Sequence, residues 1–292
     1  MLPEQFCVRM KEMLGEEYAA FYASYDLPKY QALRINPLKT ERDTFLLQAP
    51  FSLNRVPWTT NGYYYSGNDQ PGRHPYHEAG VYYIQEPSAM APAEYLMAEP
   101  GERILDLCAA PGGKSTQIAC SMQGEGLIVC NEIHPARAKI LSENIERMGV
   151  CNALVTNETP QKLSDNFREY FDRILVDAPC SGEGMFRKNE DACDEWSPEN
   201  VENCAARQAE ILDCAAEMLK PGGRLVYSTC TFAPAENEGS ISRFLERHPE
   251  FELLPAEKKD GMMPGVPAWT EHPAEGLEHT IRLWPHHLKG EG

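Results

Sequence analysis

What this 292-residue chain lacks narrows its function first. No uninterrupted apolar run is long enough to cross a bilayer, which argues against a membrane-spanning helix. The N-terminus, 1-MLPEQFCVRMKEML-14, is an amphipathic, charged helix pattern rather than a signal peptide. Ten cysteines occur, yet no two form a C-x-x-C pair, and His74/His77 and His286/His287 have no cysteines at zinc spacing. Reduced thiols in a cytoplasmic protein, with no metal site, are the expectation. Basic residues are also in short supply: 27 Lys and Arg face 44 Asp and Glu, a net charge of −17. That balance disfavours holding nucleic acid by bulk electrostatics, because neutralising phosphates takes cations. Any nucleic-acid role would need a local basic surface or a partner.

The two common nucleotide fingerprints are incomplete as well. The stretch 103-RILDLCAAPGGKSTQIA-119 reads as a short buried strand, a tight turn of small residues and a helix start, the geometry that turns bare N–H groups and the positive helix end towards a ligand. It ends in Gly113-Lys114-Ser115, but a phosphate-binding loop needs Gly at position 108, which is Cys. A dinucleotide fingerprint needs G-x-G-x-x-G, and only Gly112-Gly113 is present. A smaller, non-phosphorylated nucleoside remains, with S-adenosylmethionine the obvious candidate; an ordinary turn with no ligand is the competing reading. Glu132, closing the strand pattern 126-GLIVCNE-132 about 20 residues on, suits ribose hydroxyls.

What is present is the composition of a globular protein, 42% hydrophobic and 24% charged. Residues 4–24 fit a helix, 32–36 a strand and 41–48 a helix. The segment 55–87 is rich in aromatics, Gly and Pro. Its Trp58, Tyr63, Tyr64, Tyr65, Tyr82 and Tyr83, interleaved with Arg55, Arg73, His74 and His77, suit either stacking on single-stranded bases or, more often, packing of a small domain. We read 1–85 as a small α/β module with its connection. From 86 the pattern alternates: helix 88–98, strand 103–107, strand 126–131, helix 135–148 stopped by Gly149, strand 153–156, strand 172–177, helix 198–219 capped by Ser197, and strand 224–229. Alternation with apolar strands predicts an α/β fold, a doubly wound parallel sheet covered on both faces.

In such a sheet the functional residues collect at the carboxyl ends of the strands. Those ends carry Asp106 and Cys108, Glu132, Asn157 and Glu158, 177-DAPCSG-182 and 228-STCT-231. Cys180 and Cys230 are expected to flank the crevice, with Asp177 three residues before Cys180. Cys108, Cys120, Cys130, Cys151, Cys204 and Cys214 are most simply small buried hydrophobes. A methyl donor, two thiols and a carboxylate suit C5 methylation of cytosine. A thiolate adding to C6 makes C5 nucleophilic, a carboxyl at N3 stabilises the developing charge, and a second base helps remove the C5 proton. Lys114 can polarise a bound group or lower a thiol pKa.

The motifs 108-CAAPGGK-114, 177-DAPCSG-182 and 228-STCT-231, in this order and spacing, resemble the Sun (Fmu, Nol–Nop) family of RNA 5-methylcytosine methyltransferases. The stretches 131-NEIHPARAKILSENIERMG-149, 183-EGMFRKN-189 and 281-IRLWPHHLKGEG-292 narrow the resemblance to bacterial RsmF-type rRNA enzymes. It implies a Rossmann-like class I methyltransferase over 86–292 and a cytoplasmic monomer acting on RNA, 16S rRNA above tRNA. It further implies Cys230 as nucleophile, Cys180 as the group aiding proton removal and release, and Asp177 beside cofactor and base. S-adenosylmethionine would be held by Cys108, Ala109, Ala110, Pro111, Gly112, Gly113, Lys114, Glu132 and Asp177, with Asn157 preferred over Glu158 at the adenine. Arg187 and Lys188 would meet RNA phosphate. Relatives continue past Gly292 into a last strand and a C-terminal RNA-binding domain, which the resemblance implies this chain lacks. A catalytically silent RNA-binding or assembly factor and a small-molecule methyltransferase are the readings from other classes.

Overall fold

Short β-branched and leucine-rich segments separated by helical ones build the centre of the protein, here described from a computed structural model covering residues 2–188 and 191–292. The chain divides into two compact units. The first, Tyr30–Asp177 with Cys214–Ser228, holds two sheets.

Its smaller sheet is antiparallel, with β1 (Ala32–Ile35), β2 (Leu53–Arg55), β3 (Gly62–Tyr65) and β4 (Tyr82–Ile84) in the order β2-β3-β1-β4. The aromatic stretch 55–87 therefore makes two strands, β3 and β4, that periodicity did not resolve, because runs of three or four residues are too short to show a period. Trp58, Tyr63, Tyr82 and Tyr83 are buried, Tyr82 packs with Leu33, Ile35 and Phe45, and its hydroxyl donates to Pro71 O at 2.7 Å. These rings pack.

The larger sheet is parallel: β5 (Arg103–Asp106), β6 (Leu127–Asn131), β7 (Ala153–Thr156), β8 (Phe171–Asp177) and β9 (Leu219–Ser228), ordered β7-β6-β5-β8-β9. Ile104, Leu105, Ile128, Val129, Ile174 and Leu175 have no exposed surface, as a sheet covered on both faces requires. The order reverses at β5, which sits between β6 and β8, and such a reversal opens a crevice at the strands' carboxyl ends. Helix Pro135–Met148 has the expected bounds; Gly149 adopts φ +75° and donates to Glu146 O at 2.9 Å. The Ser197 hydroxyl accepts from Asn200 N–H at 3.0 Å, the expected cap of helix Pro198–Met218.

The second unit comprises Met1–Lys29, Ala178–Asp213 and Thr229–Gly292. Its core is aromatic: Phe6, Phe21, Phe186, Trp196, Phe232 and Trp284 pack with Met10 and Val201. The helix expected over 4–24 is broken into Glu4–Leu14 and Tyr18–Ala23 at Gly15, whose φ of +54° favours glycine. An antiparallel pair, β10 (Met262–Pro264) and β11 (Ile281–Leu283), completes the unit.

Candidate functional site

Two centres carry the residues singled out in the sequence, one in each unit.

In the first, the turn after β5 is tied down by backbone bonds: Ala109 N–H donates to Asn131 O at 2.8 Å and Gly112 N–H to Ala109 O at 2.8 Å. Gly112, at φ +109°, turns the chain into helix Gly113–Met122, which starts without a side-chain cap. Arg34 of β1 holds this helix start. It is 1% exposed, and its guanidinium donates to Gly113 O (3.0 Å), Thr116 Oγ1 (2.8 Å) and Gln85 Oε1 (3.0 Å). Buried Asn131 clamps the neighbouring loops: its amide donates to Leu107 O (3.2 Å) and Glu158 O (3.0 Å), and its carbonyl accepts from Glu158 N–H (3.1 Å) and the Thr156 hydroxyl (2.9 Å). Nothing local in the sequence distinguishes either residue, since their partners lie 24 to 82 positions away.

Glu132 is buried with its carboxylate accepting from His134 N–H at 2.9 Å and lying 3.3 Å from the Arg137 guanidinium. A carboxylate offers about four acceptor positions, so capacity for a ribose diol remains. Asn157 Nδ2 donates to Glu132 O (2.6 Å) and Ile133 O (2.9 Å), which commits its N–H groups to the loop. Glu158 pairs with Lys162 at 2.6 Å. Lys114 Nζ donates to Asp177 Oδ2 at 2.7 Å, and the Ser228 hydroxyl donates to Oδ1 at 2.7 Å, so the carboxylate at the end of β8 is gripped from two sides. Burial pushes the Cys108 thiol up, which suits a structural thiol.

Asp106 lies fully buried at the end of β5; Oδ2 accepts from Ser115 Oγ at 2.6 Å and Oδ1 has no partner. Burial raises its pKa from 3.8 to about 7, against the Ser115 bond that lowers it. The folded protein thus holds this proton more tightly than the unfolded chain. Between about pH 4 and pH 7 folding takes up a proton, and the stability from this group is lost as pH rises through that window. Urea unfolding across the window should show stability falling with rising pH, and Asp106→Asn should flatten the slope. An equal slope in the variant would assign the effect elsewhere.

In the second unit, Cys180 Sγ and Cys230 Sγ lie 3.3 Å apart as free thiols, and Cys230 N–H donates to Cys180 Sγ at 3.3 Å. The hydrogen bond to Cys230, then burial, push the Cys180 thiol well up. Two buried carboxylates brace the cysteine loops. Glu236 accepts Ser181 N–H (3.0 Å), the Ser181 hydroxyl in a short bond and Gln208 Nε2 (2.8 Å); Gln208 also donates to Pro179 O at 3.0 Å. Glu183 accepts Arg9 (2.5 Å), Trp196 Nε1 (2.9 Å) and Phe232 N–H (3.0 Å). Gly184 N–H donates to Cys230 O at 2.8 Å, joining the loops directly. Neither glutamate was singled out in the sequence, although Glu183 adjoins 177-DAPCSG-182.

Three expectations are corrected here. Arg187 does not present a free cation: its side chain is 4% exposed, lies 3.3 Å from buried Glu291 and donates to Leu27 O at 2.9 Å. Cys151 is exposed rather than buried, and Cys108 is only half-buried by surface. Asn189, the last residue of the run 183–189, lies outside the described residues.

Residues 93–292 match the family of 16S rRNA methyltransferase RsmB/F, and residues 2–87 the N-terminal domain of 16S rRNA methyltransferase RsmF. The chain belongs to the RsmB/F family. Within it, the ribosomal RNA small subunit methyltransferase F of Erwinia tasmaniensis is 38% identical over 99% of this chain and 62% of its own length. That of Cronobacter sakazakii is 40% identical over 91% and 58%. This RsmB/F chain spans about three-fifths of the length of these relatives. A methyltransferase homolog protein from Pyrococcus horikoshii superimposes with a TM-score of 0.86 at 30% identity, covering 99% of this chain and 92% of that one. NSun6 from the same organism, at 22% identity and a TM-score of 0.80, covering 99% and 95%, shares the fold.

Proposed function

We propose that this protein methylates C5 of cytosine in RNA, with 16S rRNA as substrate and S-adenosylmethionine as methyl donor. The observation that carries the reading is the pair of free thiols 3.3 Å apart. A structural cysteine pair has no need of such an approach without a bond, whereas C5 chemistry needs one sulfur to add and another group to finish. The chain runs from Asp177 to Cys180 in three residues and from Ser228 to Cys230 in two, so both thiols follow directly on the ends of adjacent strands.

The residues of the first unit fit the donor. Glu132 has acceptor capacity for ribose hydroxyls, Asn157 Oδ1 for the adenine amino group, and the turn Cys108–Lys114 offers backbone groups at an uncapped helix start. Bound S-adenosylmethionine supplies an electrophilic methyl group. Cys230 Sγ adds to C6 of the cytosine, moving the ring electrons to C5. Asp177, held by Lys114 and Ser228, serves N3 as charge develops there. Cys180 Sγ, as a thiolate at this stage, takes the C5 hydrogen after methylation; the C5–H electrons re-form the ring double bond and Cys230 leaves C6 as a thiolate. The target base must leave its stack for this chemistry. Chemistry that needs reduced thiols fits a cytoplasmic enzyme, and the reading takes it to act as a monomer.

The test is incubation with labelled methyl donor and either 16S rRNA, small subunits or tRNA, followed by mapping of 5-methylcytosine. Label at C5 of cytosine in 16S rRNA is expected. Label in tRNA alone would reassign the substrate, and no transfer to any RNA would reject the reading.

A further inference from the structure

Glu17, His286 and His287 bring three donor atoms within 4.8 Å of one another, from segments 269 residues apart. Both imidazoles aim the same nitrogen at one oxygen: His286 Nε2 is 3.2 Å and His287 Nε2 2.8 Å from Glu17 Oε2. Ligands held about 2.0–2.1 Å from a tetrahedral zinc-class ion stand roughly 3.3 Å apart, so the two contacts to Glu17 need lengthen by no more than about half an ångström to admit an ion. The histidine rings are not loose. His286 is packed edge-on against Phe21 at 5.7 Å and tilted against Trp284 at 6.0 Å, and the two imidazoles lie 4.3 Å apart. The His286 side chain is 4% exposed and Glu17 is 52% exposed, so the trio is anchored on one side and open to water on the other. Two imidazoles with one carboxylate and open positions is a donor set for borderline divalent ions, not for calcium or magnesium.

We propose that Glu17, His286 and His287 form a binding site for a divalent ion of the zinc–cobalt class, stapling the turn after the first helix to the segment after β11. The ligands belong to Gly15–Glu17 and to 286–287, so an ion here ties the first residues of the second unit to its last. Sequence spacing concealed the site, since only the fold brings residue 17 to the histidine pair. Binding to the folded state alone stabilises it in proportion to the logarithm of ion concentration over Kd.

The probe is Co²⁺ added to the full chain. A His/carboxylate site gives weak visible d–d bands without the strong near-ultraviolet sulfur-to-cobalt charge transfer that binding at the thiols would give. His287→Ala and Glu17→Gln alter side chains with solvent access, so both should fold. Each should weaken cobalt binding by at least about 10-fold, given that even outer partners of metal ligands are worth 10–100-fold, and should abolish the rise in Tm. A Cys180→Ser, Cys230→Ser double variant should bind as wild type does. Cobalt binding unchanged by His287→Ala, a thiolate spectrum, or no spectral change in excess cobalt would overturn the proposal.

Discussion

Replacing Cys180 by Ala should turn the protein from a catalyst into a trap, leaving RNA covalently attached through Cys230, whereas Cys230→Ala should give neither product nor adduct. The asymmetry follows from the thiol pair. Sulfurs at 3.3 Å are within hydrogen-bond reach of each other, and the bond to Cys230, then burial, raise the Cys180 thiol. In the proposed roles Cys230 attacks C6, and Cys180, a strong base once its own proton has left, takes the C5 hydrogen. Without Cys180 the addition still proceeds, but the step that strips the C5 hydrogen and frees Cys230 loses its helper. General acid–base assistance of this sort is worth about 10²–10⁴-fold, enough for the adduct to accumulate. Denaturing electrophoresis of protein mixed with labelled rRNA and methyl donor reads the outcome. Full product from Cys230→Ala would remove it as nucleophile; a Cys230→Ala adduct with none from Cys180→Ala would exchange the two roles.

Glu236→Ala should strongly destabilise the second unit. The carboxylate is fully buried and receives the Ser181 amide, the Ser181 hydroxyl and Gln208. Truncation strands these donors in a dry interior. Each buried donor left unpaired costs about 1–3 kcal/mol, so stranding several takes a large share of the usual net stability of about 5–15 kcal/mol. Glu236→Gln keeps one acceptor oxygen and should cost less. Its effect should fall on turnover, because Ser181 and the Pro179 carbonyl flank Cys180 in the chain and both hang on this network. Denaturant unfolding of both variants checks the ranking. A Glu236→Ala protein within about 0.5 kcal/mol of wild type, the range of ordinary surface changes, would show the network to be dispensable.

The aromatic stretch 55–87 shows where sequence reading stops. Its Tyr and Trp residues admitted both base stacking and packing, and burial of Trp58, Tyr63, Tyr82 and Tyr83 decides for packing. Arg187 is the opposite instance: a basic residue in a polar loop reads as exposed, yet the fold buries it beside Glu291, more than a hundred positions away. Lys114, expected to act on a bound group or a thiol, has Asp177 as a partner that lies 63 positions away in the chain.

By itself the sequence determined the parallel sheet, the turn 108–114, the exact extent of helix Pro135–Met148 and the arrival of Cys180 and Cys230 just past β8 and β9. These are local matters: periodicity reports which face is buried, glycine and proline punctuate, and chain order puts loop residues at strand ends. Only the tertiary structure decided the 3.3 Å approach of the sulfurs, the two glutamates under their loops, the clamps made by Arg34 and Asn131, and the convergence of Glu17 with His286 and His287. A side chain's partner is whatever distant segment the packed core brings within reach, and no spacing along the chain encodes that distance.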